Sequence, residues 1–212
     1  MAIVATFFAV HAIELSARNS HVSFDPVFQD CSTIPAYISD VARDGKFREK
    51  VITALTEISS LGLANFKYAG YTEEIPKTPF YPRYPQTNYV VIALIDRWQS
   101  NIFPNNDALA AATSFRTRYE YSEFHVGVIV IDRAALAALS SRDSAVRSQF
   151  TVIRHELGHI AGFGHDLATS VMNAHALNFV SPFGKLPWPP IPRSWRDRCC
   201  LLATRHGCIV AN

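Results

Sequence analysis

Residues 155–166 read HELGHIAGFGHD, and this run limits the backbone more tightly than any other part of the chain. His155 and His159 are four apart. On a helix that spacing brings both imidazoles to one side, about one turn apart, where they can grip a single ion. Val146, Phe150, Ile153, Leu157 and Ile160 recur at helical spacing through the same stretch, so the apolar stripe turns into the core and the histidines face a cleft. Asp143 or Ser144 can cap the start of this helix. A helix continued past His159 would carry His165 away from the other two. The chain must therefore turn between them, and Gly162 stands where the turn is needed, since glycine adopts positive φ at low cost. Gly164 adds further freedom.

The rest of the chain supplies a sheet. Tyr89–Ile95 (YVVIALI) and His125–Asp132 (HVGVIVID) are nearly continuous apolar runs of strand length, as expected for strands buried on both faces. His21–Phe28, Ala64–Tyr68 and Ala108–Phe115 read as further strands, the last at an edge. Phe47, Val51, Leu55 and Ile58 mark a helix that Gly62 stops. Two Pro-rich stretches, 75–86 and 181–192, read as long loops, because proline removes donors and fixes φ. A last helix is expected near Ser194–Arg205. This order is α+β or α/β, not all-helical.

Composition bounds the function classes. The 212 residues suit one domain, or one domain in two lobes, and 49% hydrophobic with 18% charged residues is an ordinary globular balance. A formal net charge of +2 without a long run of one sign argues against nucleic acid as the main partner. No segment reaches the roughly 20 apolar residues of a membrane span. Residues Ala2–Val10 are wholly apolar and are followed by Ala12 and Ala17, which fits the h-region of a secretory signal, although no Lys or Arg precedes it. A buried first strand or a leader are the other readings of residues 1–20. The four cysteines, Cys31, Cys199, Cys200 and Cys208, suit a secreted protein with two disulfides or, alternatively, buried thiols in a reducing compartment. A second metal on Cys199, Cys200, His206 and Cys208 matches no common zinc spacing.

Three histidine ligands leave the fourth tetrahedral position open, the mark of a catalytic zinc site and not of a structural one. Glu156, beside the first ligand, is placed to act as a base and not as a ligand. The set His155, Glu156, His159, Gly162 and His165 resembles the signature of the metzincin metallopeptidases. Ser170-Val171-Met172-Asn173 is similar to the methionine turn of that family, with Met172 as an apolar floor under the three imidazoles.

The resemblance implies an α+β, zincin-like fold. Its parts are a twisted, mixed five-stranded sheet, two long helices, an active-site cleft and a small C-terminal subdomain with one helix. It places the catalytic domain at 21–212, with an upper lobe at 21–165 and a lower lobe at 166–212. It implies one zinc ion and a protein or peptide substrate laid antiparallel on the edge strand. Backbone groups of Ala111 and Ala112 would contact that substrate, and Asn173 to His175 would line the pocket beside the metal. The gap from His165 to Met172 is similar to that of the matrixins, whereas Asp166 is similar to the adamalysins. Ala174 stands where astacins carry a ligating tyrosine. The matrixins' structural metal ligands and cysteine switch have no counterpart. The function implied is endopeptidase activity in a secreted enzyme. The alternative is a catalytically silent or narrowly specific zinc-binding module that engages one protein partner, although a retired enzyme would be expected to have lost Glu156 or a histidine.

Overall fold

The computed structural model describes residues 28, 32–78, 87–105, 108–119, 122–140, 145–168, 170–174, 176 and 185–191. In chain order these form β1 (Thr33–Ser39), α1 (Gly45–Ser60), β2 (Asn65–Tyr71), β3 (Tyr89–Ile95), a 3-10 turn (Arg97–Gln99), β4 (Ala110–Tyr119), β5 (Ser122–Asp132), α2 (Arg133–Ser140) and α3 (Ala145–Ile160). The five strands make one mixed sheet in the order β2-β1-β3-β5-β4. The first four are mutually parallel, and β4 runs antiparallel to β5 at the edge.

The apolar runs explain the centre of this sheet. All seven residues of β3 are buried, because both of its faces are covered. Val90, Ile92 and Leu94 lie on one face with Ile129 and Ile131 of β5 and Ile34, Ala36 and Ile38 of β1. Tyr89, Val91, Ala93 and Ile95 lie on the other face with Val126, Val128 and Val130. Helices α1 and α3 pack on the first face through Val51, Leu55 and Ile58 and through Ile153, Leu157 and Ile160. Each such side chain contributes roughly 1.5–3 kcal/mol on full burial. Gly127 permits the approach of α3 to β5: a Cβ there would lie 2.8 Å from Ile160 Cγ2.

Helix α1 begins at Asp44, whose carboxylate accepts from the Lys46 amide at 2.9 Å, and ends at Gly62 with φ +71°. A buried ion pair also fastens α1 to α3. Arg154, 1% exposed, donates from Nη2 to Glu57 Oε1 at 2.7 Å. Removing Glu57 would leave the Arg154 charge buried without its counter-ion, and breaking a buried pair in this way costs roughly 3–5 kcal/mol.

Besides longer β2 and β5 strands, three features depart from the sequence expectations. The first described strand is Thr33–Ser39, a segment that sequence reasoning left unassigned, while 21–27 of the expected His21–Phe28 strand lie outside the described residues. Pro35 disguises β1. It is tolerated because it pairs only with β2 at Lys67, before β3 joins at Ala36. Strand β4 reaches Tyr119, past the expected end at Phe115. Helix α2 was also unforeseen. It starts directly after β5, where the Asp132 carboxylate accepts from the Ala134 amide at 3.0 Å and so supplies its cap. The expected Ser194–Arg205 helix and all four cysteines, with any disulfide between them, fall outside the described residues. Among the described residues no helix is long and apolar enough to cross a membrane.

Candidate metal centre

The end of α3 is a Schellman turn. The Phe163 amide donates to Gly158 O at 2.9 Å, the Gly162 amide donates to His159 O at 3.0 Å, and Gly162 has φ +107°. A side chain at Gly162 would be strained, which is why glycine stands there. The turn reverses the chain and brings His165 back over the helix. The Nε2 atoms of His155, His159 and His165 then lie 3.1–3.2 Å from one another.

Hydrogen bonding fixes what two of those atoms present. His155 Nδ1 lies 2.7 Å from Val171 O, and His159 Nδ1 lies 2.8 Å from Phe163 O. A carbonyl oxygen only accepts, so each Nδ1 must carry the ring proton and donate it. Burial, foremost, lowers the His155 pKa to about 4 and the His159 pKa to about 3. The Val171 and Phe163 carbonyls oppose that shift, and the neighbouring imidazoles add to it. Both rings are therefore neutral at pH 7, with bare lone pairs on Nε2. Two lone pairs facing each other at 3.1 Å repel unless a cation lies between them. Zinc at 2.0–2.1 Å from each nitrogen, in tetrahedral geometry, would space them by about 3.3 Å. The donor set and its spacing thus fit one zinc ion with an open fourth position.

The floor beneath the helix is built from the loop that follows. Asp166, 7% exposed, accepts from Ser170 Oγ at 2.6 Å, and that hydroxyl in turn accepts from the Met172 amide at 3.0 Å. The Asp166 amide donates to Met172 O at 3.1 Å, and the Val171 amide donates to Pro187 O at 2.9 Å. These bonds seat Met172, fully buried, directly against α3. A Cβ on Gly158 would come within 2.2 Å of Met172 Sδ and 3.0 Å of Trp188 Cζ3. Gly158 lies between the two helical histidines and escaped sequence reasoning. Its signal was available, since an interior helix glycine costs roughly 1 kcal/mol relative to alanine and so implies a close neighbour.

Glu156 is 8% exposed, and burial pushes its carboxyl up to about 8. The sign for the metal-free protein follows from linkage. The native state keeps a proton that the unfolded chain loses near pH 4.5, so this group's contribution to stability falls as pH rises from about 4.5 to about 8. In metal-free protein, Glu156→Gln is expected to flatten that decline, read as urea midpoints at pH 5 and pH 8. Equal declines in both proteins would contradict the burial of an ionisable group at this position.

The remaining expected site residues are spread more widely. Ala111 and Ala112 lie in β4, paired with Val130 and Ile129, and are half-buried on opposite faces of the sheet. Asn173 is buried and donates from Nδ2 to Ala168 O at 2.9 Å, which ties it into the methionine loop. His175 lies outside the described residues.

Zinc binding is expected to stabilise the fold. At a free concentration of ~100 times Kd the gain is about 2.7 kcal/mol, or roughly 5–10 °C in melting temperature for a chain of this size. Calorimetry of metal-free protein with and without zinc measures it, and an unchanged melting temperature would count against a zinc centre.

No family model and no curated protein matches the chain. Among solved structures it is similar to the crystal structure of archaemetzincin from Methanopyrus kandleri, at 15% identity and a TM-score of 0.45, over 84% of this chain and 99% of that one.

Proposed function

We propose that this chain is a zinc-dependent endopeptidase of the metzincin type, with His155, His159 and His165 as the metal ligands and Glu156 as the general base. One observation carries the reading: the Nε2 atoms of three imidazoles converge to within 3.2 Å of one another, two of them on a helix that also holds a buried glutamate.

Zinc held there supplies Lewis acidity, activating water and polarising the scissile carbonyl. Glu156 takes a proton from the attacking water onto its carboxylate and passes it to the leaving amine nitrogen. Burial favours the protonated form of this carboxyl, and a nearby cation opposes that, so the group is poised to accept and release a proton near neutrality. Met172 and Gly158 hold the floor under the ligands, and Gly162 returns His165 to the others. The edge strand β4 offers backbone groups around Ala111 and Ala112, on which an extended peptide would add as a further strand. The segment from Asn173 to His175 would border the pocket beside the reacting bond.

The test is cleavage of a denatured general protein substrate by purified chain, with a chelator and then with zinc restored. Cleavage abolished by the chelator and recovered with zinc is the expected result. Cleavage indifferent to the chelator would remove the metal from the mechanism. Zinc bound without any cleavage would favour a silent or narrowly specific module.

A further inference from the structure

A buried polar cluster begins one residue before the first histidine. Arg154 donates from Nη1 to Leu186 O at 2.8 Å and from Nη2 to Glu57 Oε1 at 2.7 Å. Trp188 donates from Nε1 to the same Glu57 oxygen at 2.7 Å, and its ring lies 4.9 Å from the Arg154 guanidinium. Lys185 Nζ reaches Glu57 Oε2 at 2.8 Å. Burial alone would raise the Glu57 carboxyl, but Lys185, Arg154 and Trp188 outweigh it and hold the group below the usual carboxylate range. The cluster joins α1, α3 and the segment 185–188, which are far apart in sequence.

We infer that Glu57, Arg154 and Trp188 form a clamp that positions His155 for metal binding, acting through the segment 185–188 and the methionine loop. The inference rests on the metal-centre reading above. Its physical basis is a difference between the two helical histidines. His159 is oriented by Phe163 O, and the Phe163 amide is itself bonded to Gly158 O in the helix cap. That acceptor is fixed by α3. His155 is oriented by Val171 O, which sits on a loop. The Val171 amide is held by Pro187 O, and the residues on either side of Pro187 are the two that the clamp grips: Leu186 through its carbonyl, Trp188 through its indole. A loop acceptor needs such an anchor if it is to fix one ring tautomer, and partners of this outer kind typically change metal affinity by about 10–100-fold. Arginine suits the position because its rigid fork meets Leu186 and Glu57 with separate nitrogens, whereas lysine offers a single nitrogen on a flexible stem.

The test uses the full chain. In metal-free protein, nitrogen-resolved NMR of the histidine rings reports the Nδ1 proton of His155 and, as an internal control, that of His159. Zinc affinity is measured by competition with a chelator. Arg154→Met is expected to expose the His155 Nδ1 proton to exchange, to leave that of His159 protected, and to weaken zinc binding by roughly 10–100-fold. Should that variant not fold, Glu57→Gln with Arg154→Met removes both charges together, which buried pairs commonly tolerate, and the same asymmetry is expected. A folded variant with unchanged His155 and unchanged zinc affinity would overturn the clamp. So would equal disturbance of both histidines, which is what general loosening would give. Failure of the wild-type chain to take up zinc would instead defeat the metal-centre reading, while the histidine measurement would still decide the clamp.

Discussion

Glu156→Gln is expected to lower peptide cleavage by roughly 10²- to 10⁴-fold, the usual worth of a positioned general base, while the protein keeps its zinc. Glutamine matches glutamate in shape but cannot take a proton from water. The three nitrogens that could hold a metal come from His155, His159 and His165, so the substitution leaves the donor set whole. A neutral amide also suits a position that is only 8% exposed at least as well as a carboxylate does. The variant should therefore fold as well as the parent, and activity and metal content should part company. Initial rates beside metal analysis of the same samples decide the matter. Zinc lost in step with activity would make Glu156 a ligand. Undiminished cleavage would place the base elsewhere.

Gly158→Ala is expected to weaken both the fold and the metal site, against the ordinary preference of helices for alanine. On a free helix surface the change would stabilise by roughly 0.5–1 kcal/mol. Here the new methyl would sit 2.2 Å from Met172 Sδ, closer than any van der Waals contact allows. Overpacking of this kind costs typically about 1–3 kcal/mol, so it outweighs the propensity gain. The displaced group is the floor under the histidines, whose Val171 neighbour orients His155, so zinc affinity should fall with stability. Denaturant unfolding and chelator competition measure the two effects. A variant more stable than the parent, with unchanged affinity, would mean that Met172 has room to move and does not support the ligands.

The parts of this structure that were legible in the sequence are those set by local pattern. The buried strands β3 and β5 announce themselves as apolar runs, and α1 and α3 show helical spacing closed by glycines at 62 and 162. The three histidines could be placed together from spacing and one turn, because all three lie within eleven residues. What escaped depends on partners remote in sequence. Strand β1 contains Pro35, which local rules count against a strand, and only its position beside β2 alone makes it harmless. Helix α2 has eight residues and no room to display a period. Glu57 and Arg154 are 97 residues apart, and each alone reads as a solvated charge. Gly158 reads as a mere weakness in the helix until Met172 is found against it.

Three convergent imidazoles are proposed to hold one catalytic zinc ion. Equilibrium dialysis of metal-free chain against zinc, followed by metal analysis, decides this, with His159→Ala dialysed alongside. One tightly held zinc per chain is expected in the parent, and its loss in the variant, with both proteins folded. A folded parent that retains no zinc, or a variant that retains it fully, would rule out a zinc site built on these histidines.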